Sequence, residues 1–111
     1  MKIDGLRQEY DNEILHRANL ATNPFAQFEQ WWQDVLAQEI FQPNAMTLAT
    51  ATTNGRPSAR TVLLKELTAE GFVFYSNYES RKGTELEQNP RACLLFYWRE
   101  LHRQVRIEGT V

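Results

Sequence analysis

RTVLLKELTAEGFVFYSNYESRKG, residues 60–83, places two apolar strand-like runs, a helix start and four spaced cations in one short segment. Thr61-Val62-Leu63-Leu64 is bracketed by Arg60 and Lys65, polar turn residues fill Glu66 to Gly71, and Phe72-Val73-Phe74-Tyr75 then resumes the pattern. Two paired strands are expected. Beyond Ser76-Asn77-Tyr78-Glu79, Ser80 reads as the N-cap of a helix that opens Arg81-Lys82-Gly83. Unpaired N–H groups and the positive end of the helix dipole favour an anion at such a start, where Asp or Glu is usual. Here two cations stand there instead, which points to a phosphorylated ligand. Taken singly, Arg81 and Lys82 also read as a solvated helix face, and Arg60 and Lys65 as strand-end charges. Arg60 and Lys65 are an odd number of residues apart, so a regular strand turns them to opposite faces, one toward a cofactor and the other toward a second ligand or solvent.

Working outward, 111 residues bound the chain to one domain, and three Trp, four Tyr and six Phe suffice for a packed core. A formal net charge of −2 supplies no global basic field for nucleic acid or an anionic membrane, so any cationic site is local. The single cysteine, Cys93, sits in the run Ala92-Cys93-Leu94-Leu95-Phe96; this excludes an intrachain disulfide and favours a buried, inert thiol in a reducing compartment. The N-terminus MKIDGLRQEYDNEIL lacks the apolar core of a signal peptide, and no apolar run approaches membrane-spanning length, so a cytoplasmic protein is expected.

Leu6, Tyr10, Ile14 and Leu15 have helical spacing in a polar stretch, a weakly amphipathic helix or a mobile arm over residues 1–22. Asn23 as N-cap and Pro24 at the first helical position begin a stronger helix over 23–42, with Phe25, Phe28, Trp31, Trp32, Val35, Leu36 and Ile40 as its apolar stripe. From Met46 to Thr53 the pattern turns to β, Asn54-Gly55 is a strong hairpin signal, and Pro57 to Leu64 returns as the partner. Further strands are expected over 72–77, 91–98 and 104–111, with a helix over 80–88 ended by Asn89-Pro90. The fold class is mainly β with flanking helices, an antiparallel barrel or strongly curled sheet over 45–111. Ile107-Glu108-Gly109-Thr110-Val111 still reads as strand, so a partner strand from another chain or from further sequence is expected at that edge.

Glycines at positions 5, 55, 71, 83 and 109 spell neither a dinucleotide fingerprint nor a P-loop. His16 and His102 have no second histidine at ligand spacing, which argues against a zinc or iron site, and no serine has the flanking glycines of a nucleophile elbow. If the chain is an enzyme, an organic cofactor carries the chemistry.

RTVLLK at 60–65, FYSNYESRKGTEL at 74–86 and FYWRELHRQVRIEG at 96–109 resemble the pyridoxine/pyridoxamine 5′-phosphate oxidases, and the likeness extends to LRQEY at 6–10 and NPFAQFEQWW at 23–32. The resemblance implies an FMN-binding split barrel, working as a homodimer with flavin at the subunit interface. By position, Arg60, Thr61, Val62, Leu63, Leu64, Lys65, Tyr75, Ser76, Arg81, Lys82 and Gln104 would bind FMN, the cations taking its phosphate. Lys65 would also reach the phosphate of the vitamin substrate, and Arg7 and Tyr10 would close over it. No side chain is named as catalytic. The implied reaction oxidises pyridoxine or pyridoxamine 5′-phosphate to pyridoxal 5′-phosphate, with dioxygen as acceptor. Family members are close to twice this length, and their second half adds a barrel strand, further substrate-phosphate ligands and a tryptophan and arginine-histidine motif not found here. A truncated chain with weak or no turnover is therefore expected. Two alternatives stay open: another FMN split-barrel protein, reductase-like or flavin-storing, and a non-catalytic half that dimerises or binds cofactor.

Overall fold

In the computed structural model, residues 1–7, 15–77 and 79–111 are described. Helix α1 (Pro24–Ala37) starts as its sequence dictates: the Asn23 side chain accepts a 2.8 Å hydrogen bond from the Phe25 N–H, and Pro24 occupies the first turn, where no N–H is needed. It ends earlier than residue 42. Glu39 and Gln42 take φ of 52° and 43°, outside the right-handed helical region, although Ile40 still packs on the core.

Strands β1 (Ala45–Ala51) and β2 (Pro57–Leu63) form the expected hairpin, in register from Ala45 opposite Leu63 to Ala51 opposite Pro57. Gly55 takes φ 90° in the connection, a conformation that costs glycine little. Burial alternates along β1, turning Met46, Leu48 and Thr50 inward. β1 also pairs antiparallel with β5 (Arg91–Trp98), which pairs antiparallel with β6 (Arg103–Thr110), so the sheet runs β2-β1-β5-β6.

One pairing differs from the sequence reading. Residues 72–75 do not pair with 60–64; instead β3 (Glu66–Thr68) and β4 (Gly71–Val73) make a separate two-stranded ribbon. The reversal needs only Ala69 and Glu70, because Thr68 Oγ1 accepts from the Glu70 N–H and Gly71 takes φ 143°. The Lys65 N–H donates to Val73 O at 2.8 Å, tying the ribbon to the end of β2. Strand structure stops at Val73 rather than Asn77, and α2 (Arg81–Gln88) follows.

The core joins α1 to the inward face of the sheet: Phe28 and Val35 meet Met46, Leu48, Leu64, Leu94, Phe96 and Trp98. The Phe28 ring lies 5.1 Å from Phe72, 5.3 Å from Phe96 and 5.7 Å from Trp98, and Trp98 Nε1 donates to Pro43 O at 3.1 Å. Each such side chain contributes roughly 1.5–3 kcal/mol on burial. The tryptophan pair of α1 is used structurally: Trp32 stacks in this cluster, while Arg103 lies 4.7 Å from the Trp31 ring and 2.7 Å from Asp34 Oδ2. Phe25 and Leu36 of the expected stripe are half-exposed, and Cys93 is half-buried rather than buried.

Near the N-terminus Arg17–Asn19 form one turn of 3₁₀ helix, and residues 8–14 of the stretch read as a weakly amphipathic helix or mobile arm lie outside the described residues. β2 and β6 are the two edges of an open sheet, so among the described residues β6 has no strand on its far side.

Candidate functional site

Alternation along β2 puts Ser58, Arg60 and Val62 on the inward face, opposite Thr50, Leu48 and Met46 of β1. That face is apolar at the Met46 end and polar at the Thr50 end, and α2 sits over the polar end. Ser80 caps the helix, its Oγ accepting from the Gly83 N–H at 3.2 Å and donating to Asn77 O at 2.6 Å. At the far end, Asn89 Nδ2 donates to Ala51 O at 3.3 Å.

One turn into α2, Glu85 is only 4% exposed. Its Oε2 accepts from the Thr50 hydroxyl; its Oε1 accepts from Ser58 Oγ at 3.1 Å and from Arg81 Nε at 3.0 Å. Arg60 Nη2 lies 3.8 Å from Oε2, and Arg60 Nη1 donates to Thr50 Oγ1 at 2.7 Å and Leu48 O at 3.2 Å. The Thr50 hydrogen bond outweighs burial and, with Arg81 and Ser58, holds the Glu85 carboxyl below the usual carboxylate range. Arg60 and Arg81 are thereby fixed around one ionised carboxylate. Lys82 Nζ donates to Ser80 Oγ at 3.3 Å, so a third cation stands on the cap of the same helix.

What remains available is a donor set for an external anion. Arg81 meets Glu85 through Nε and is half-exposed at its side chain. The N–H groups of Arg81 and Lys82 occupy the first turn, where no intrahelical acceptor exists, and that turn holds no acid. A guanidinium, an ammonium and helix-start N–H groups together suit a phosphomonoester.

The other predicted residues are not gathered into this cluster. Tyr75 and Ser76, both exposed, line a groove of about 800 Å³ with Phe72, Phe74, Gly83 and Leu86. Leu64 and Lys65 line a separate cavity of about 280 Å³ against Phe28, Trp32 and Asn44. β2 ends before Lys65, so strand parity does not extend to it, yet it does stand apart from Arg60. Thr61 and Leu63 have the outward parity of β2 and Val62 the inward. Gln104 is exposed on β6 opposite Tyr97, at the far edge of the sheet from Arg60 and on its outward parity. Arg7 is exposed, and Tyr10 lies outside the described residues.

Thr50, Ser58 and Glu85 were not among the expected site residues. Ser58 and Arg60 share the strand parity of Val62, and Arg81 and Glu85 are a helical i, i+4 pair, so part of the signal was present. In the other direction, burial pushes the Cys93 thiol upward, with Glu108 adding to it, which disfavours the reactive thiolate.

A family model described as Pyridoxamine 5′-phosphate oxidase matches residues 32–111. The pyridoxine/pyridoxamine 5′-phosphate oxidase of Salinibacter ruber is 57% identical over 110 residues, covering 99% of this chain and 51% of the relative. That of Trichormus variabilis is 54% identical over 109 residues, covering 98% and 51%. The chain thus spans about half the length of the curated relatives it matches. Among solved structures, PhzG from Burkholderia lata 383 in complex with tetrahydrophenazine-1-carboxylic acid superposes with a TM-score of 0.83 at 31% identity, over 89% of this chain and 50% of that one. A pyridoxamine 5′-phosphate oxidase-related, FMN binding protein from Nostoc punctiforme gives 0.67 at 22% identity, over 82% and 47%, a likeness of fold.

Proposed function

Because the chain belongs to the pyridoxamine 5′-phosphate oxidase family and has the split-barrel fold of its relatives, we propose that it serves the oxidation of pyridoxine or pyridoxamine 5′-phosphate to pyridoxal 5′-phosphate. FMN is the cofactor of this family, and the Nostoc punctiforme protein of the same fold is itself described as FMN binding. The observation that carries the reading is the gathering of Arg60 and Arg81 about the start of α2, whose first turn holds Lys82 and no acid. In this reading Arg60, Arg81 and Lys82 hold the FMN phosphate, and Thr61 to Leu64, on the edge strand β2 and just past it, present backbone to the flavin. Tyr75 and Ser76 flank it from their groove. Bound FMN would supply the redox chemistry, as acceptor for a hydride equivalent from the C4′ carbon of the vitamin phosphate, with dioxygen as the final oxidant and hydrogen peroxide as its product. Lys65 neutralises the substrate phosphate, and Arg7 and Tyr10 close over it, so the chain's own part is binding and orientation.

The placement of Gln104 on the face and edge of the sheet opposite Arg60 supports a site shared between two copies, Gln104 coming from the second. The working unit in this proposal is a homodimer, placed in the cytoplasm, each chain one domain with residues 1–22 as arm, α1 as the helix within 23–42 and the barrel strands within 45–111. Among the described residues no helix is long and apolar enough to cross a membrane.

The test is a visible spectrum and peroxide assay on the purified chain of verified mass. We expect an FMN-type absorption band and, with pyridoxine 5′-phosphate, turnover well below that of a full-length relative; a colourless chain that acquires no flavin on titration contradicts the reading. The likeness to PhzG favours one second reading, a flavoprotein of the same fold with a different substrate. Lys65→Ala separates the two: it weakens vitamin-phosphate binding and spares FMN on the first reading, whereas equal loss of both favours the second.

A further inference from the structure

We propose that Glu85 is a positioning residue, a buried carboxylate that sets the two arginines of the phosphate site and does not itself touch the ligand. The inference rests on the reading that the start of α2 receives the FMN phosphate, and adds the device that fixes its geometry. An acid so close to an anion site is at first sight unfavourable, since it competes for the same cations. Its placement argues otherwise. Glu85 is 4% exposed, and its carboxylate accepts from Thr50, Ser58 and Arg81 while lying 3.8 Å from Arg60. These partners come from β1, β2 and α2, so one side chain sets the helix start against both strands of the hairpin.

The geometry of each arginine follows. Arg81 is bound through Nε, which orients its guanidinium without using its two terminal amino groups. Arg60 is held from two sides, Nη1 on Thr50 and Leu48 and Nη2 toward Glu85. A long, rotamer-rich side chain that is ordered in advance loses less freedom when the ligand arrives. Charge is consistent as well: three cations and one carboxylate leave a net charge of two, matching a phosphomonoester dianion.

The experiment measures affinity for FMN and for riboflavin, which has the same ring system and no phosphate, by equilibrium dialysis on the 111-residue chain, its Glu85→Ala variant and its Glu85→Gln variant. Wild type should prefer FMN. In Glu85→Ala that preference should fall about tenfold, through FMN alone. Glu85→Gln keeps an acceptor for Arg81 or Thr50, guards against loss of the fold, and should fall in between. Discrimination that is unchanged or sharpened in both variants overturns the positioning role while leaving the phosphate reading intact. Equal binding of the two flavins by wild type instead overturns the phosphate reading, and this proposal with it.

Discussion

Arg81 and Lys82 hold the first turn of a helix against the preference of its dipole, and this local cost is what an external anion would offset. Replacing Lys82 with Ala should lower FMN affinity about tenfold and leave riboflavin affinity where it is, as read by fluorescence quenching. Glu85 adds a pH dependence. Its carboxyl titrates lower in the folded chain than its ordinary value of 4.5, so the stability it contributes is fully present above that value and is lost as pH falls through the folded one. Denaturant unfolding between neutral and acid pH should therefore show stability declining as the solution is acidified, with a shallower decline in Glu85→Gln. An identical slope in the two proteins would show that the carboxylate is not linked to folding.

At the scale of elements, α2 is a short helix held by its cap, by Glu85 and by Asn89. Ser80→Ala removes the acceptor for the Gly83 N–H and should cost about 1 kcal/mol in thermal or denaturant unfolding. Leu48→Ala opens a cavity in the centre of the core, where Leu48 is fully buried, and should cost roughly 2–5 kcal/mol. The elements also differ in how plainly the sequence announces them. Asn23-Pro24, Asn54-Gly55 and Ser80 act on backbone within three residues of themselves, so the helix starts and the hairpin turn are legible locally. The ribbon of β3 and β4 is not: three-residue strands carry too little alternation to reveal a partner, and Glu66 to Gly71 has the composition of a loop although the turn itself needs only two residues. The end of α1 was obscured because residues 38–42 contain neither Gly nor Pro, while the positive φ of Glu39 stops the helix. The cationic start of α2 was readable, whereas the burial of Glu85 depends on strands far away in sequence and was not.

For the whole molecule, the open sheet is the defining feature. β6 exposes an unpaired edge among the described residues, and Gln104 lies away from the cations it would have to join around one flavin. Sedimentation should therefore give a dimer when FMN is bound, and Gln104→Ala should weaken flavin binding without changing the thermal stability of the flavin-free chain. A chain that binds flavin stoichiometrically as a monomer would remove the argument for a shared site. The central claim is that the FMN phosphate is held where β2 meets the start of α2. A crystal structure of the FMN complex tests it most directly: we predict phosphate oxygens within hydrogen-bonding distance of Arg60, Arg81 and Lys82, and finding those three side chains in bulk water, with the phosphate bound elsewhere, would contradict it.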